Sequence, residues 1–170
     1  MSDPEITVGL LEGTLAEMTE LQRVLEEAPS YSHRITGLPP RPVDAQSTCS
    51  ILPPGKTYED KFVFGIRRAG AMIGVIDAVR GYPTENVAYL GLLLLSEKCQ
   101  RRGYGRAAYH LVEEVIRRWE SCRRVRLAVV RTNAEVIPFW LGLGFEATGE
   151  VKPYRYASVI SEHLFFEKAL

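Results

Sequence analysis

The sequence predicts an α/β fold, in which a central mixed sheet carries helices on its faces. Three observations support this prediction. Apolar side chains alternate in two neighbouring segments, 61–67 and 71–79, as they do in paired strands. Residues 87–95 form an almost continuous apolar run, which is typical of a central strand covered on both faces. Apolar residues then recur at helical spacing over 108–119, and a strand pattern follows at 125–130.

Length and composition suit an ordinary globular protein. The 170 residues fit one domain, so we expect a single domain over residues 1–170. Hydrophobic residues make up 46% of the chain and charged residues 25%, which argues against disorder. Lys plus Arg and Asp plus Glu number 21 each, so no net charge favours a nucleic-acid or membrane partner.

The cysteines and the apolar segments indicate a cellular setting. Cys49, Cys99 and Cys122 are an odd number without metal-ligand spacing, which predicts no metal site and a reducing environment. The longest apolar run, residues 87–95, is too short to span a bilayer. Residues 1–5 lack the basic and then apolar pattern of a secretion signal. We therefore expect a cytoplasmic protein.

The first 60 residues predict a strand, a helix and a long irregular segment. Ile6–Leu11 favours a short strand. Thr14 and Glu17 have capping-box spacing, and apolar residues at helical spacing follow until Pro29 ends the helix. Residues 29–60 are rich in proline and weakly periodic. Because so long a connection is unusual without structure of its own, we expect it to hold a short helix and to carry function.

The remaining residues predict a hairpin, a central strand and a β-α-β-α-β-β series. The hairpin joins the two alternating segments through residues 68–70, and a polar connector, 96–102, separates the central strand from the long helix. Further along the chain we expect a strand at 125–130, a helix at 134–143, a strand at 145–151, a loop at 154–161 and a last strand at 162–167. This order gives a mixed sheet with helices on its faces.

The connector before the long helix has the character of a phosphate-binding segment. Gln100, Arg101 and Arg102 precede Gly103-Tyr104-Gly105. Glycines let a backbone approach a ligand closely, and a helix start offers unpaired N–H groups with a positive dipole end. Such a segment suits a pyrophosphate, although a tight turn with a solvated basic face is the plainer alternative.

A dinucleotide-binding turn is a third alternative, because residues 103–108 formally match G-x-G-x-x-A. That fingerprint should follow its strand directly, whereas seven polar residues intervene here. The next strand should end in an acid for the ribose hydroxyls, yet Val130 is followed by Arg131 and Thr132. The context therefore disfavours an NAD(P)-linked enzyme.

Two motifs in order resemble a known family. The segment 100–105 is similar to the Q/R-x-x-G-x-G/A acyl-CoA-binding motif of the GCN5-related N-acetyltransferase (GNAT) family. Asn133, Phe139-Trp140 and Leu143-Gly144-Phe145 resemble the family's N…(F/Y/W)…LGF segment. The resemblance covers about residues 87–150. It implies a GNAT-like acyl-CoA N-acyltransferase fold with a mostly antiparallel mixed sheet, and direct transfer of an acetyl group from acetyl-CoA to a primary amine.

The resemblance also implies the residues that bind acetyl-CoA. Backbone groups of the fourth strand should pair with the pantetheine arm, and one N–H there should face the thioester oxygen. The glycine-containing segment should surround the pyrophosphate, and the asparagine should contact the pantetheine or order the following turn. The implied cofactor-binding set is Leu93, Leu94, Leu95, Gln100, Arg101, Arg102, Gly103, Tyr104, Gly105, Arg106, Asn133 and Trp140.

The catalytic acid and base are less defined. Many family members carry a tyrosine acid where this chain has Trp140, which has no acidic proton to give. Tyr154 and Tyr156 are the alternative acids. Asp77, within an apolar strand, and Glu85, before the central strand, are the candidate bases, since an ionised group in an apolar strand needs a partner.

The sequence leaves the acceptor and the partners open. A small-molecule or peptide amine is the expected substrate, and the family resemblance makes a homodimer one expectation. An arginine cluster at 117–126 lies near the end of the long helix, where positive charge is usually solvated, so we expect no nucleic-acid partner. Because Trp140 replaces the usual tyrosine, a non-catalytic acyl-CoA-binding sensor or regulatory domain is the second hypothesis.

Overall fold

A computed structural model describes residues 5–170, which form one seven-stranded sheet flanked by five α-helices. The strands are β1 Thr7–Leu10, β2 Lys61–Arg68, β3 Ala71–Arg80, β4 Val87–Leu95, β5 Arg124–Val130, β6 Glu146–Tyr156 and β7 Val159–Ala169. The helices are α1 Leu15–Glu26, α2 Pro29–Thr36, α3 Asp44–Ser50, α4 Tyr104–Arg117 and α5 Ile137–Gly142. Three short 3-10 turns lie at Tyr58–Asp60, Glu97–Cys99 and Arg131–Val136.

The strand order is β1-β2-β3-β4-β5-β7-β6. Within residues 5–170, only the β4–β5 pair is parallel, and every other neighbouring pair is antiparallel. The parallel pair needs a crossover, which α4 supplies. The expected fold class, an α/β fold with a mixed and mostly antiparallel sheet, is therefore confirmed.

The two faces of the sheet carry separate apolar cores. The face covered by α4 and α5 buries side chains that include Ile76, Leu90 and Val112. The face covered by α1 and α3 buries a smaller group that includes Val75 and Leu94. Residues that alternate along one strand thus reach opposite faces, as the pleat requires.

The long helix α4 follows from its apolar spacing. Ala108, Val112 and Ile116 are fully buried against the sheet, and burying a side chain the size of valine or isoleucine stabilises the fold by about 1.5–3 kcal/mol. Glu113 is also buried, where it pairs with Lys168 of β7 at 2.6 Å and with Arg117 at 2.8 Å. These charges tie the helix to the sheet.

The N-terminal helix begins as predicted. The Glu17 N–H donates to Thr14 Oγ1 at 3.3 Å, and the Thr14 N–H donates to Glu17 Oε2 at 3.2 Å, which completes the capping box. Pro29 occupies the first turn of α2 and follows a two-residue break after α1, where its missing N–H costs nothing. Residues 29–60 hold two α-helices and one 3-10 turn, one helix more than expected.

The C-terminal hairpin differs from the prediction. We expected a loop at 154–161, but β6 runs to Tyr156 and β7 starts at Val159, so only two residues turn the chain. The error has a physical cause. β6 is an edge strand with mostly exposed side chains, so it lacks the apolar alternation that marks a half-buried strand. Across the part of the chain described here, no helix has the length and apolar character needed to cross a membrane.

Candidate active site

The parallel strands β4 and β5 separate halfway along the sheet. Their pairing runs from Val87 opposite Arg124 to Leu90 opposite Leu127 and then stops. Beyond this point β4 continues beside β3 alone, while β5 continues beside β7. A cavity of about 750 Å³ occupies the opening, with both separated strand ends in its wall. We call it the larger cavity.

The direction of the β4 backbone decides which groups face this opening. The Ser96 N–H donates to the Ile73 carbonyl of β3 at 2.9 Å. Because backbone groups alternate sides along a strand, Leu94 also faces β3, whereas Leu93 and Leu95 face the opening. The Gln100 side chain donates to the Leu95 carbonyl at 2.9 Å, in agreement with this alternation. The Leu94 backbone is therefore committed to β3, which corrects the expectation that it would bind the pantetheine arm.

The N-terminus of α4 borders the larger cavity. Gly103 precedes the helix with a φ of 83°, a left-handed conformation that favours glycine. No side chain of residues 5–170 caps this helix, so its first N–H groups are available to a ligand. Arg101 and Arg106, both exposed, also line the cavity. Unpaired N–H groups, the helix dipole and two cations together suit a phosphate.

Two residues of the implied cofactor-binding set, Tyr104 and Arg102, do not line the larger cavity. Tyr104 is buried in the core under α4, and the guanidinium of Arg68 lies 5.4 Å from the centre of its ring. Arg102 is exposed and does not line the larger cavity. Their side chains were expected to surround the pyrophosphate. The turn geometry points Tyr104 inward instead, so at this position only its backbone is near the ligand site.

The second motif forms the opposite wall. Asn133 is buried, and its side-chain oxygen accepts a hydrogen bond of 3.3 Å from Arg34 of α2, which also pairs with Glu135. This contact fixes α2 across the opening. Trp140 also lines the cavity, but its ring packs edge-on against Phe139 and Phe145 at centroid distances of 5.0 Å and 5.3 Å. Trp140 is a packing residue of the wall.

A second cavity of about 310 Å³ lies on the face covered by α1, α2 and α3. We call it the smaller cavity. It shares part of its wall with the larger one; the residues common to both are Tyr31, Ile35, Gly91, Leu92 and Leu94. The two cavities thus meet at the segment of β4 that has just left β5.

Asp77 lies at this junction. It is opposite Leu92 in the β3–β4 ladder, where the register shifts, and its side chain is only 14% exposed. Lys61 Nζ, on β2, lies 3.0 Å from Asp77 Oδ1. Burial raises the pKa of Asp77, while the charge and the hydrogen bond of Lys61 act to lower it. A carboxylate with a raised pKa is better able to accept a proton from an amine.

Gly91 makes room for that carboxylate. A Cβ at this position would lie 2.7 Å from Asp77 Oδ2, closer than real Cβ contacts allow. One oxygen of Asp77 therefore faces Lys61, and the other lies against the Gly91 backbone at the junction. Sequence analysis missed Gly91, although a glycine within an apolar strand is a known signal of a bulge or a close approach.

The other three catalytic candidates occupy different places. Glu85 is exposed and lies before the start of β4. Gly91 lies four residues after Val87, the first residue of β4, which is about 13 Å along the strand at 3.3 Å per residue. Glu85 lines neither cavity, so the structure does not bring it to the junction with Asp77. Tyr154 and Tyr156 both line the smaller cavity, from strand β6. The Tyr154 hydroxyl donates to the Ile35 carbonyl at 2.6 Å, so its proton is already used in a hydrogen bond to α2.

Tyr31 is a functional candidate that sequence analysis missed. It lies on α2 and, among residues 5–170, is the one titratable side chain in the wall shared by both cavities. Burial raises its pKa to about 12. The hydroxyl therefore stays protonated near neutral pH and has a proton to donate in a hydrogen bond. No motif marks Tyr31 because only the packing of α2 brings it to the junction.

Comparison with known proteins agrees with this geometry. The family model described as the acetyltransferase (GNAT) family matches residues 21–145, which include the second half of α1, the lining of the larger cavity and both motifs. The chain therefore belongs to the acetyltransferase (GNAT) family and is an acyltransferase. No curated protein matches the sequence.

Solved structures share the whole fold at low sequence identity. An acetyltransferase from Thermus thermophilus is 24% identical, with a TM-score of 0.73, and the match covers 96% of this chain and 97% of that one. A ribosomal-protein-alanine N-acetyltransferase from Brucella melitensis is 16% identical, with a TM-score of 0.73 and coverages of 96% and 99%. The ribosomal-protein-S18-alanine N-acetyltransferase from Escherichia coli is 19% identical, with a TM-score of 0.65 and coverages of 97% and 94%.

Proposed function

We propose that the protein is an N-acetyltransferase that moves an acetyl group from acetyl-CoA directly to a primary amine of a small molecule or peptide. The observation that carries the proposal is the meeting of the two cavities at Gly91–Leu94, where β4 has left β5. Acetyl-CoA occupies the larger cavity and the amine occupies the smaller one. Each reactant then reaches the exposed β4 backbone from its own side, which is how positioning lowers the barrier of a bimolecular reaction.

The larger cavity has the donor groups that coenzyme A requires. The uncapped start of α4, with Arg101 and Arg106, would hold the pyrophosphate. The backbone groups of Leu93 and Leu95 would pair with the pantetheine amides, and Gln100 holds the Leu95 carbonyl in place. Asn133 contributes by fixing α2 across the opening. Bound acetyl-CoA supplies the acetyl group as an activated thioester.

The residues at the junction supply the remaining chemistry. Asp77 accepts a proton from the bound ammonium group, so that the neutral nitrogen can form the C–N bond as the C–S bond breaks. The Leu93 N–H, which faces the opening, donates to the carbonyl oxygen as negative charge develops there. The Tyr31 hydroxyl is a second donor at the junction. With a pKa of about 12 it keeps its proton near neutral pH. The nitrogen loses its second proton to solvent as the C–S bond breaks, and the departing thiolate takes up one proton from solvent.

Calorimetric titration with acetyl-CoA tests the proposal. We expect binding near one site per chain, and we expect Gly103→Glu to abolish it, because a carboxylate would then occupy the start of α4. Gly149→Glu is the matched control, since Gly149 has a similar φ of 81° on strand β6 and lines neither cavity. Failure of the wild-type chain to bind acetyl-CoA would overturn the acetyltransferase proposal.

A screen of primary amines with acetyl-CoA then separates an enzyme from a sensor. Release of free CoA that depends on the amine supports transfer. The second hypothesis, a non-catalytic acyl-CoA-binding domain, is motivated by Trp140, which packs in the wall and gives no proton. Tight binding without transfer to any amine of the panel would favour that hypothesis.

A further inference from the structure

The smaller cavity contains a buried ammonium group with unused donors. The Lys61 side chain is 4% exposed and lines the cavity. Its Nζ donates to Asp77 Oδ1 at 3.0 Å and makes no other hydrogen bond within residues 5–170. An ammonium group has three N–H donors, and a buried charge with unmatched donors is costly. Two donors of Lys61 are therefore left for a molecule that enters the cavity.

The Asp77 carboxylate is divided between Lys61 and the junction. Oδ1 accepts from Lys61, whereas Oδ2 lies over Gly91, which lines both cavities. Asp77 Oδ2 is therefore a negatively charged oxygen at the junction of the two cavities, where the proposed reaction requires the acceptor nitrogen to bind. A positive group with spare donors lies one hydrogen bond away. A ligand with an ammonium group next to a carboxylate matches this order of charges.

The rest of the smaller cavity is mainly apolar. The wall beyond the charged pair includes Leu25, Ala28, Ile35, Pro39, Leu92 and Leu94. Its volume of about 310 Å³ lies at the lower end of the range of about 300–1,000 Å³ that is usual for small-molecule sites. The cavity therefore suits one small molecule with an apolar body.

The charges of the cavity argue against the other amine classes. A polyamine or an aminoglycoside would place several cations in a site whose second carboxylate, Asp44, is already paired with Arg41 at 2.9 Å. A peptide N-terminus carries a neutral amide where the site offers the Lys61 ammonium. Among these classes, only a free amino acid has both the nucleophilic amine and the adjacent anion.

We propose that the acceptor is a free α-amino acid with an apolar side chain, held by Asp77 through its amine and by Lys61 through its carboxylate. The inference rests on the proposed N-acetyltransferase function. One proton of the ammonium group passes to Asp77, and the neutral α-nitrogen then forms the C–N bond to the acetyl carbon. As the C–S bond breaks, the nitrogen loses its second proton to solvent, and the CoA thiolate takes up one proton from solvent. The product is an N-acetyl amino acid.

Initial rates with matched amines test the proposal without any variant. The panel contains leucine, methionine and phenylalanine, their α-amides and their decarboxylated amines, each with saturating acetyl-CoA. We expect kcat/KM to be about 10- to 100-fold higher for the free amino acids, because a hydrogen bond to a charged group contributes about 1.5–3 kcal/mol. The amides are the weaker bases, so a preference for the free acids cannot come from the supply of neutral amine.

Lys61→Met supplies the second test. Loss of Lys61 alters Asp77 for both kinds of substrate but removes a carboxylate partner only for the amino acids. We therefore expect the ratio of KM for the amino acids to KM for the decarboxylated amines to rise at least tenfold. Acetyl-CoA calorimetry on the same variant shows whether it is folded. Equal or better turnover of the amides and decarboxylated amines by the wild-type chain would overturn the inference while leaving the acetyltransferase proposal intact. Absence of acetyl-CoA binding would overturn both.

Discussion

Gly91 interrupts the longest apolar run of the sequence, and its contact with Asp77 explains why a side chain is missing there. The carboxylate needs space against the β4 backbone, and Lys61 holds its other oxygen. Three residues from three neighbouring strands thereby form the polar centre of an otherwise apolar junction. None of them is part of a sequence motif, because strand pairing alone brings them together.

Asp77→Asn tests the base at residue scale. The amide has the shape of the carboxylate but cannot accept the proton, so we expect kcat to fall by roughly 10²- to 10⁴-fold, the usual contribution of a general base. Acetyl-CoA affinity, measured by calorimetry, should stay unchanged. Glu85→Gln is the matched control, because it also removes a carboxylate but lies before β4, and its kcat should equal that of the wild type. Unchanged turnover in Asp77→Asn would contradict the assignment of Asp77 as the general base.

Gly91→Ala tests the space that the carboxylate occupies. Its Cβ would lie 2.7 Å from Asp77 Oδ2, so the carboxylate must move away from the junction. We expect kcat/KM to fall roughly tenfold or more, since a small misplacement of a reacting group has a large effect on rate. Gly9→Ala, on strand β1, is the control, because its Cβ would meet nothing within 4 Å. Wild-type activity in Gly91→Ala would contradict the assigned contact.

Two tyrosine variants separate catalysis from tethering. Tyr154→Phe removes the hydrogen bond to Ile35, so we expect the free energy of unfolding to fall by about 0.5–1.5 kcal/mol with kcat within about twofold of the wild type. Tyr31→Phe removes a donor at the junction, so we expect kcat to fall several-fold, up to about tenfold, with acetyl-CoA affinity unchanged. Steady-state kinetics and urea unfolding measure both. The reverse pattern would exchange the two roles.

At the scale of elements, β4 serves two purposes along its length. Its first half pairs with β3 and β5 and belongs to the sheet, while its second half pairs with β3 alone and leaves the backbone of Leu93 and Leu95 open. Helix α2 then covers the opening from the other side, held by the contacts of Arg34 with Asn133 and of Tyr154 with Ile35. The site is thus a gap in the hydrogen bonding of the sheet.

The ion pair of Glu113 on α4 with Lys168 on β7 leads us to expect that stability depends on pH in the acid range. Burial acts to raise the pKa of Glu113, but hydrogen bonds that include those from Lys168 and Arg117 outweigh it and lower the pKa from 4.5 to about 2. A carboxyl group with a lowered pKa in the folded state stabilises the protein above pH 4.5. That contribution is lost as the pH falls from about 4.5 to 2, because the unfolded state then binds the proton first.

Glu113→Gln removes this dependence. We expect a lower free energy of unfolding at pH 7 and a shallower decline between about pH 4.5 and pH 2, measured by urea unfolding at several pH values. Glu114→Gln is the control, since Glu114 is less buried on the same helix and its variant should keep the wild-type slope. A decline as steep as that of the wild type in Glu113→Gln would show that another carboxylate dominates the acid response.

At the scale of the molecule, the two cavities meet at strand β4 under helix α2. The larger cavity opens between β4 and β5, and the smaller cavity lies on the face covered by α1, α2 and α3. Under the proposed function, the two reactants approach from different directions and meet at this strand. Because ligand binding draws on elements from α2 to α5, occupation of the larger cavity should stabilise the whole fold.

Thermal unfolding measures that coupling. A ligand present at about 100 times its Kd stabilises the folded state by about 2.7 kcal/mol. For a chain of this size, about 1 kcal/mol shifts Tm by about 2–4 °C, so we expect acetyl-CoA at that level to raise Tm by about 5–10 °C. Gly103→Glu should show no shift under the same conditions, whereas Gly149→Glu should match the wild type. A shift in Gly103→Glu equal to that of the wild type would contradict the assigned phosphate site.

The sequence by itself determined the fold class and the family. These depend on local signals: apolar periodicity, a capping box, glycines before a helix, and two motifs at fixed positions along the chain. The sequence prediction was wrong in the exposed edge strand β6, where the apolar signal was weak. The direction of the Leu94 backbone and the distance of Glu85 from the junction depend on strand pairing, which no local pattern gives.

Only the tertiary structure decided which residues meet at the reacting junction. Asp77, Lys61, Gly91 and Tyr31 come from separate strands and a helix, and no spacing along the chain links them. Their proximity follows from the strand register, from the divergence of β4 and β5, and from the packing of α2 across the gap. Local patterns determine elements because their interactions are short in sequence, whereas an acceptor site depends on contacts between residues that are distant in sequence.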